Sequence, residues 1–141
     1  MTGPSECPAC SGQWPRPEQR IADFDQCIVY LHDDQFFPGW TVLVLKRHAT
    51  ELFALTPPER AALMEEVSNV AEALAGVFNA HKMNYELLGN QIAHIHWHLI
   101  PRLADDPRRA EPVWRHDHRP LALPAAERNE RIARIRAALK R

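Results

Sequence analysis

The chain has 141 residues and a formal net charge of −1. That length suits one domain with a core of its own, and the charge balance supplies no global field to draw it onto nucleic acid or a membrane surface. It has no apolar run of about 18 residues and no basic-then-apolar leader, and its 3 cysteines are too few for a secreted disulfide framework. A membrane span is therefore not expected, and a reducing cytoplasm is the expected compartment.

Residues 1–20 hold four prolines and two glycines and read as an irregular lead-in. Inside it stands Cys7-Pro8-Ala9-Cys10. Such a pair serves as a redox motif, as half of a metal site, or as two plain thiols. The redox use wants a strand-to-helix setting, which proline-rich surroundings do not offer. A zinc use needs two more ligands. No second Cys-x-x-Cys exists, since Cys27 stands alone, so a zinc ribbon is excluded.

Ile21 to Leu31 carry strand-like runs. His32-Asp33-Asp34 and Pro38-Gly39 are turns, and Trp40 to Lys46 is an apolar, β-branched strand. Thr56-Pro57-Pro58-Glu59 is a helix start with a capping box and proline in the first turn. Ala62, Leu63, Val67, Val70, Ala71, Leu74, Val77 and Phe78 keep helical spacing to about His81. Asn84 to Leu88 is a short strand, followed by a turn at Gly89-Asn90. Residues 105–120 form an extended loop, and Pro124 to Arg141 a terminal helix with Ile132, Ile135, Ala138 and Leu139 on one side. The pattern is α+β, with antiparallel strands and one long helix.

His94-Ile95-His96-Trp97-His98-Leu99-Ile100 is the most informative stretch. In a strand, His94, His96 and His98 share one face, and Ile95, Trp97 and Leu99 share the other. The apolar side wants a core, which leaves the histidines over a cleft or solvent. Neighbouring histidines stand roughly 6.6 Å apart and the outer two about 13 Å apart. One metal ion at about 2.0–2.1 Å from each nitrogen cannot take all three from a regular strand. The three have different tasks.

This stretch resembles the signature of the histidine triad family. Its flanks are similar too: Gly89-Asn90-Gln91, Pro101-Arg102, Pro38-Gly39-Trp40 with the strand after it, Lys46-Arg47-His48, and Leu52 to Thr56. The likeness covers roughly residues 5–115 and is greatest to bacterial members described as diadenosine tetraphosphate hydrolase-like. It implies a single domain over 1–141, with a zinc-binding lead-in (1–20) and a C-terminal extension (105–141). The implied fold is a five-stranded antiparallel sheet with the long helix and a C-terminal helix, paired into a homodimer.

The resemblance assigns His94, His96 and His98 to the catalytic site. His96 is the nucleophile toward the α-phosphate of a small-molecule nucleotide, forming a nucleotidyl-histidine that water cleaves to a nucleoside monophosphate. One ring nitrogen must then be free and the other held as N–H by an acceptor such as a backbone carbonyl. His98 contacts the phosphate and helps the leaving group. Asn90 and Gln91 are phosphate contacts, and Asp33 or His32 meets the ribose. In one branch of the family, the Cys-x-x-Cys pair binds a structural zinc with a histidine after the third strand and the first triad histidine. Here these are Cys7, Cys10, His48 and His94, and no catalytic metal is required.

Phe24, Ile28 and Leu43 are candidate base-pocket walls, or plain core. Two features depart from the family. Trp40 stands where many members have histidine, and the loop before the triad is short. Arg102, Arg108, Arg109, Arg115 and Arg119 are solvated loop charges or help to hold an anion. Two other readings are a metallohydrolase with zinc on two triad histidines, and a non-catalytic nucleotide-binding module.

Overall fold

The computed structural model describes residues 3–140. Five strands form one antiparallel sheet: β1 (Arg20–Asp23), β2 (Cys27–Leu31), β3 (Thr41–Leu45), β4 (Lys82–Glu86) and β5 (His96–Arg102). Their order across the sheet is β1-β2-β3-β5-β4. Helix α1 spans Pro57–Phe78 and α2 spans Ala125–Ala138. The expected α+β architecture is therefore the observed one. Among the described residues, no helix is long and apolar enough to cross a membrane.

Local chemistry explains most boundaries. Thr56 and Glu59 form the reciprocal capping box that starts α1. The helix ends three residues before His81 because Asn79 turns left-handed, φ 50°, which helical backbone cannot continue through. The run Ile21–Leu31 is split in two by a tight turn in which the Phe24 N–H donates to the Cys27 carbonyl. Strand β4 lies two residues earlier than expected, because it pairs in register from Lys82↔Arg102 to Glu86↔His98. In α2, Ala138 is exposed, while Ile132, Ile135 and Leu139 pack inward. The terminal positions 1, 2 and 141 lie outside the described residues.

The two faces of β5 have different fates. Trp97 and Leu99 join the main core, between the sheet and α1, with Ile95 just before the strand. His96 and His98 face the other way. That second side is covered by a small cluster of Phe37, Trp40, Ile100 and Val113. The covering residues come from the 32–40 turn and from the extension after β5, whose single short helical turn is Val113–Arg115. Arg102 anchors the extension from beneath. It is 1 % exposed, pairs with Asp106 at 2.9 Å and lies over the Phe37 ring. It is thus an interior brace rather than the solvated or anion-holding charge expected.

Gly39 makes the sharp entry into β3 possible. Its φ is +90°, and a Cβ there would stand 2.6 Å from the Phe78 ring. Leu99, paired with Thr41 on one side and Tyr85 on the other, is fully buried at the sheet centre. Truncating it to alanine should lower unfolding free energy by about 2–5 kcal/mol, read from urea denaturation. A loss under about 1 kcal/mol would mean that the site collapses around the change.

Candidate functional site

The strand ladder of β5 begins at His96, not at His94. The Ile95 N–H is diverted to the Ala49 carbonyl at 2.8 Å, and the ladder starts with Val44↔His96. His94 is thereby released from the strand face that carries the other two histidines. Its ring belongs to a different site.

His94 Nδ1 lies 3.4 Å from Cys7 Sγ, 3.6 Å from Cys10 Sγ and 3.3 Å from His48 Nδ1. Cys10 Sγ lies 3.3 Å from His48 Nδ1. All four donor atoms fall within 4.8 Å of one another. A tetrahedral ion with bonds of about 2.0–2.3 Å spaces its N···N and S···N ligand pairs about 3.3–3.6 Å apart. The four spacings of 3.3–3.6 Å match edges of such a tetrahedron. The tautomer fits as well. His94 Nε2 is 2.6 Å from the Leu45 carbonyl, which only accepts, so Nε2 carries the proton and Nδ1 presents a lone pair. Burial lowers the His94 pKa and keeps the ring neutral. Two thiols and two imidazoles are a donor set for zinc, and the expected quartet is brought together. The third thiol, Cys27, is buried in β2 and is pushed up to about 12 by burial and by Glu66.

His96 and His98 border a cavity of about 310 Å³. Trp14, His32, Asn90, Gln91 and Trp114 also line it. The His96 Nδ1 is 2.8 Å from the His94 carbonyl. That oxygen can only accept, so Nδ1 holds the proton and Nε2 is left with its lone pair. Burial lowers the His96 pKa against the pull of that carbonyl. His98 accepts at Nδ1 from the Trp40 indole N–H at 3.0 Å. Its pKa is pushed down to about 3 by burial and by the neighbouring His96 and His32. The site therefore offers one unprotonated ring nitrogen, on His96, beside N–H donors and polar amides. A second cavity of about 300 Å³, lined by Thr50 to Phe53 and Ala93, also borders His96.

The fold and this geometry can be set beside known proteins. Residues 15–105 match the HIT domain. A histidine triad protein from Sinorhizobium meliloti is 34% identical, covers 85% of this chain and 88% of its own, and superposes with a TM-score of 0.79. One from Bradyrhizobium japonicum is 32% identical over 87% of this chain and 92% of its own, with a TM-score of 0.78. The chain belongs to the histidine triad family. A zinc-bound histidine triad family protein from Mycobacterium smegmatis is 27% identical, covers 96% of this chain and 94% of its own, and has a TM-score of 0.68. A comparison with curated protein sequences gave no match.

Other expectations meet the structure unevenly. Of the two ribose candidates, His32 lines the cavity, whereas Asp33 is held by the Arg16 guanidinium at 2.8 Å. Phe24, Ile28 and Leu43 do not line it. Leu43 faces the main core opposite Trp97, and Ile28 lies two strands away from His96. The three histidines were expected over a cleft or solvent, yet they are 2, 6 and 7 % exposed. Tryptophans account for part of this. Trp14 meets His96 edge-on at 4.9 Å, and Trp40 and Trp114 meet His98 at 5.8 and 5.3 Å. Trp14 escaped sequence reasoning. It lies in an aperiodic segment, and only its closeness to the candidate metal ligand Cys10 hinted that the lead-in reaches the site.

A clasp outside the cavity was also missed. His118 Nε2 meets Asp34 Oδ2 at 2.7 Å, and the Leu121 N–H donates to the same carboxylate. Burial alone would lower the His118 pKa, but Asp34 and the His116 carbonyl outweigh it and hold it above 6.5. For Asp34, burial would raise the pKa, but N–H groups of Leu121 and Phe36, with His118, hold it below 3.8.

Two predictions follow from this geometry. Purified protein should carry a single zinc, measured by elemental mass spectrometry. Cys7→Ala and Cys10→Ala should lose it, whereas His96→Ala keeps it; metal retained in both cysteine variants would refute the assignment. The His118 contribution to stability is full below about pH 6.5 and fades as pH rises through its raised folded-state pKa; the Asp34 contribution fades only as pH falls through its lowered one. His118→Gln should therefore destabilise at about pH 5.5 and approach wild type near about pH 8.5, followed by urea titration.

Proposed function

We propose that this chain is a nucleotide hydrolase or transferase working at the α-phosphate of a small-molecule nucleotide. One observation carries the reading: His96 Nδ1 is tied to the His94 carbonyl at 2.8 Å, which leaves Nε2 as a neutral nucleophile bordering a cavity. In this reading, Nε2 attacks the α-phosphorus. A new N–P bond forms, and the bond to the leaving group breaks with its electron pair going to that group. Water then attacks the same phosphorus and releases a proton to solvent, the N–P bond breaks with its electron pair returning to Nε2, and a nucleoside monophosphate departs. The His94 carbonyl stabilises the positive charge that His96 acquires in the intermediate.

Negative charge builds on the phosphate oxygens in both steps and needs positioned donors. Asn90, Gln91 and the N–H of His98 supply them, and His32 is the residue at the ribose. Dinucleoside polyphosphates and nucleoside phosphoramidates are the substrate classes that fit this chemistry. Zinc would be held by Cys7, Cys10, His48 and His94. It would cross-link the lead-in to the start of β5, with all four ligand positions filled by protein. The metallohydrolase reading needs zinc on two triad histidines. It is disfavoured because His94 belongs to this quartet and His98, whose Nδ1 accepts from the Trp40 indole, carries its proton on Nε2 and has no free lone pair. The same reading makes the chain one cytoplasmic domain working as a homodimer, for which β4, at the sheet edge with Tyr85 exposed, offers an outer edge that no other strand among the described residues pairs.

The test uses wild type and His96→Ala with diadenosine tetraphosphate and with an adenosine phosphoramidate. Wild type should release AMP and, when quenched, carry an acid-labile adduct of AMP mass. His96→Ala should lose both, with a rate drop of about 10³-fold or more. Nucleotide binding without turnover in either protein would contradict the enzyme reading and favour a binding module.

A further inference from the structure

We infer that Trp40 is a positioning residue, one that fixes His98 as the Nε2–H tautomer and so makes it a standing hydrogen-bond donor to the phosphate rather than a proton-transferring acid. The inference rests on the proposed phosphate site for its function but on geometry alone for the tautomer. An indole nitrogen donates and never accepts. The Trp40 Nε1 lies 3.0 Å from His98 Nδ1 with both groups buried. His98 Nδ1 must therefore be the lone-pair nitrogen, and the ring's single proton sits on Nε2. An imidazolium at this position would set two N–H groups against each other. The titratable groups around His98 add to this. His96 and His32 lie at ring distances of 5.2 and 5.8 Å. Glu86, its β4 register partner, has its carboxylate bonded by the Trp114 indole.

The indole has little freedom to turn away. It is 2 % exposed. The His32 ring lies flat on it at 4.0 Å and 4°, and Trp114 meets it edge-on at 5.2 Å. The Trp40 backbone is fixed too. Its carbonyl accepts from the His32 N–H and from the Gln35 side chain, both at 2.9 Å, and its N–H donates to the Phe37 carbonyl. His32 is locked in turn, since its Nδ1 accepts the Asp34 N–H at 3.0 Å. The residue that departs from the family pattern is thus a donor that cannot titrate. A histidine in its place would exchange protons with His98, whereas tryptophan cannot. His98 then meets the phosphate with the same N–H at every stage, and no proton leaves it.

The experiment is ¹⁵N-histidine NMR on the full chain. Wild-type His98 should display the Nε2–H pattern, unchanged between about pH 5 and about pH 8, together with a slowly exchanging Trp40 indole proton. In Trp40→Phe, His98 should become a tautomer mixture. With nucleotide substrate, kcat should fall roughly 10- to 100-fold while KM changes little, the pattern of a lost supporting partner. A wild-type His98 protonated at Nδ1 would overturn the inference, and that spectrum decides even if Trp40→Phe does not fold. A Trp40→Phe protein with the wild-type tautomer and kcat would overturn it as well. Absence of turnover in wild type would count against the hydrolase reading alone, because the tautomer is read without substrate.

Discussion

His94 is the point on which the rest of the site depends, because three of its polar atoms face three different partners. Nδ1 faces Cys7, Cys10 and His48. The Nε2–H donates to the Leu45 carbonyl at the end of β3. Its own carbonyl accepts from His96 Nδ1. The first bond set closes a metal-binding quartet, the second fixes the ring in the tautomer that quartet requires, and the third frees the nitrogen that faces the cavity. Because the Ile95 N–H bonds the Ala49 carbonyl and only the Ile95 carbonyl keeps its β3 partner, the Leu45 N–H, His94 stands just outside β5 and can serve both sites. A side chain held at both ring nitrogens also holds its backbone, so the metal quartet and the His96 tautomer are mechanically one unit.

The neutrality of the neighbouring rings is the second constraint. His32, His94, His96 and His98 are each held below the ordinary histidine pKa, with burial as the largest cause. Several imidazolium ions at ring distances near 5–6 Å would repel one another and carry no lone pair. Keeping them dry requires a cover, which three remote segments provide. Trp14 comes from the lead-in that carries Cys7 and Cys10, Trp40 from the turn before β3, and Trp114 from the extension after β5. The buried Arg102 and the His118–Asp34 clasp fasten that extension. Parts of the chain that look like loose loops are therefore what gives the histidine face its chemistry.

The sequence announced the strands and helices well wherever one face was apolar. The α1 capping box, the core side of β5 and the α+β class were all readable from spacing. The candidate metal quartet came from the family resemblance, because the Cys-x-x-Cys pair alone names no partners and His48 and His94 are distant in the chain. Other parts were hidden for physical reasons. The alternation of the triad is uniform in sequence, yet a single diverted amide at Ile95 moves His94 out of the strand. Trp14, Val113 and His118 act through tertiary contacts from aperiodic segments, where neither a period of two nor of 3.6 reports burial. Arg102 looked like one member of a basic loop, and only the fold turns it inward.

The most direct test of this account is a crystal structure of the zinc-loaded protein with a non-hydrolysable adenosine phosphoramidate. The account predicts the α-phosphorus about 3–3.5 Å from His96 Nε2, with Nδ1 still bonded to the His94 carbonyl and His94 still a metal ligand. A phosphate bound away from His96, or a His96 ring turned so that Nε2 meets that carbonyl, would contradict it.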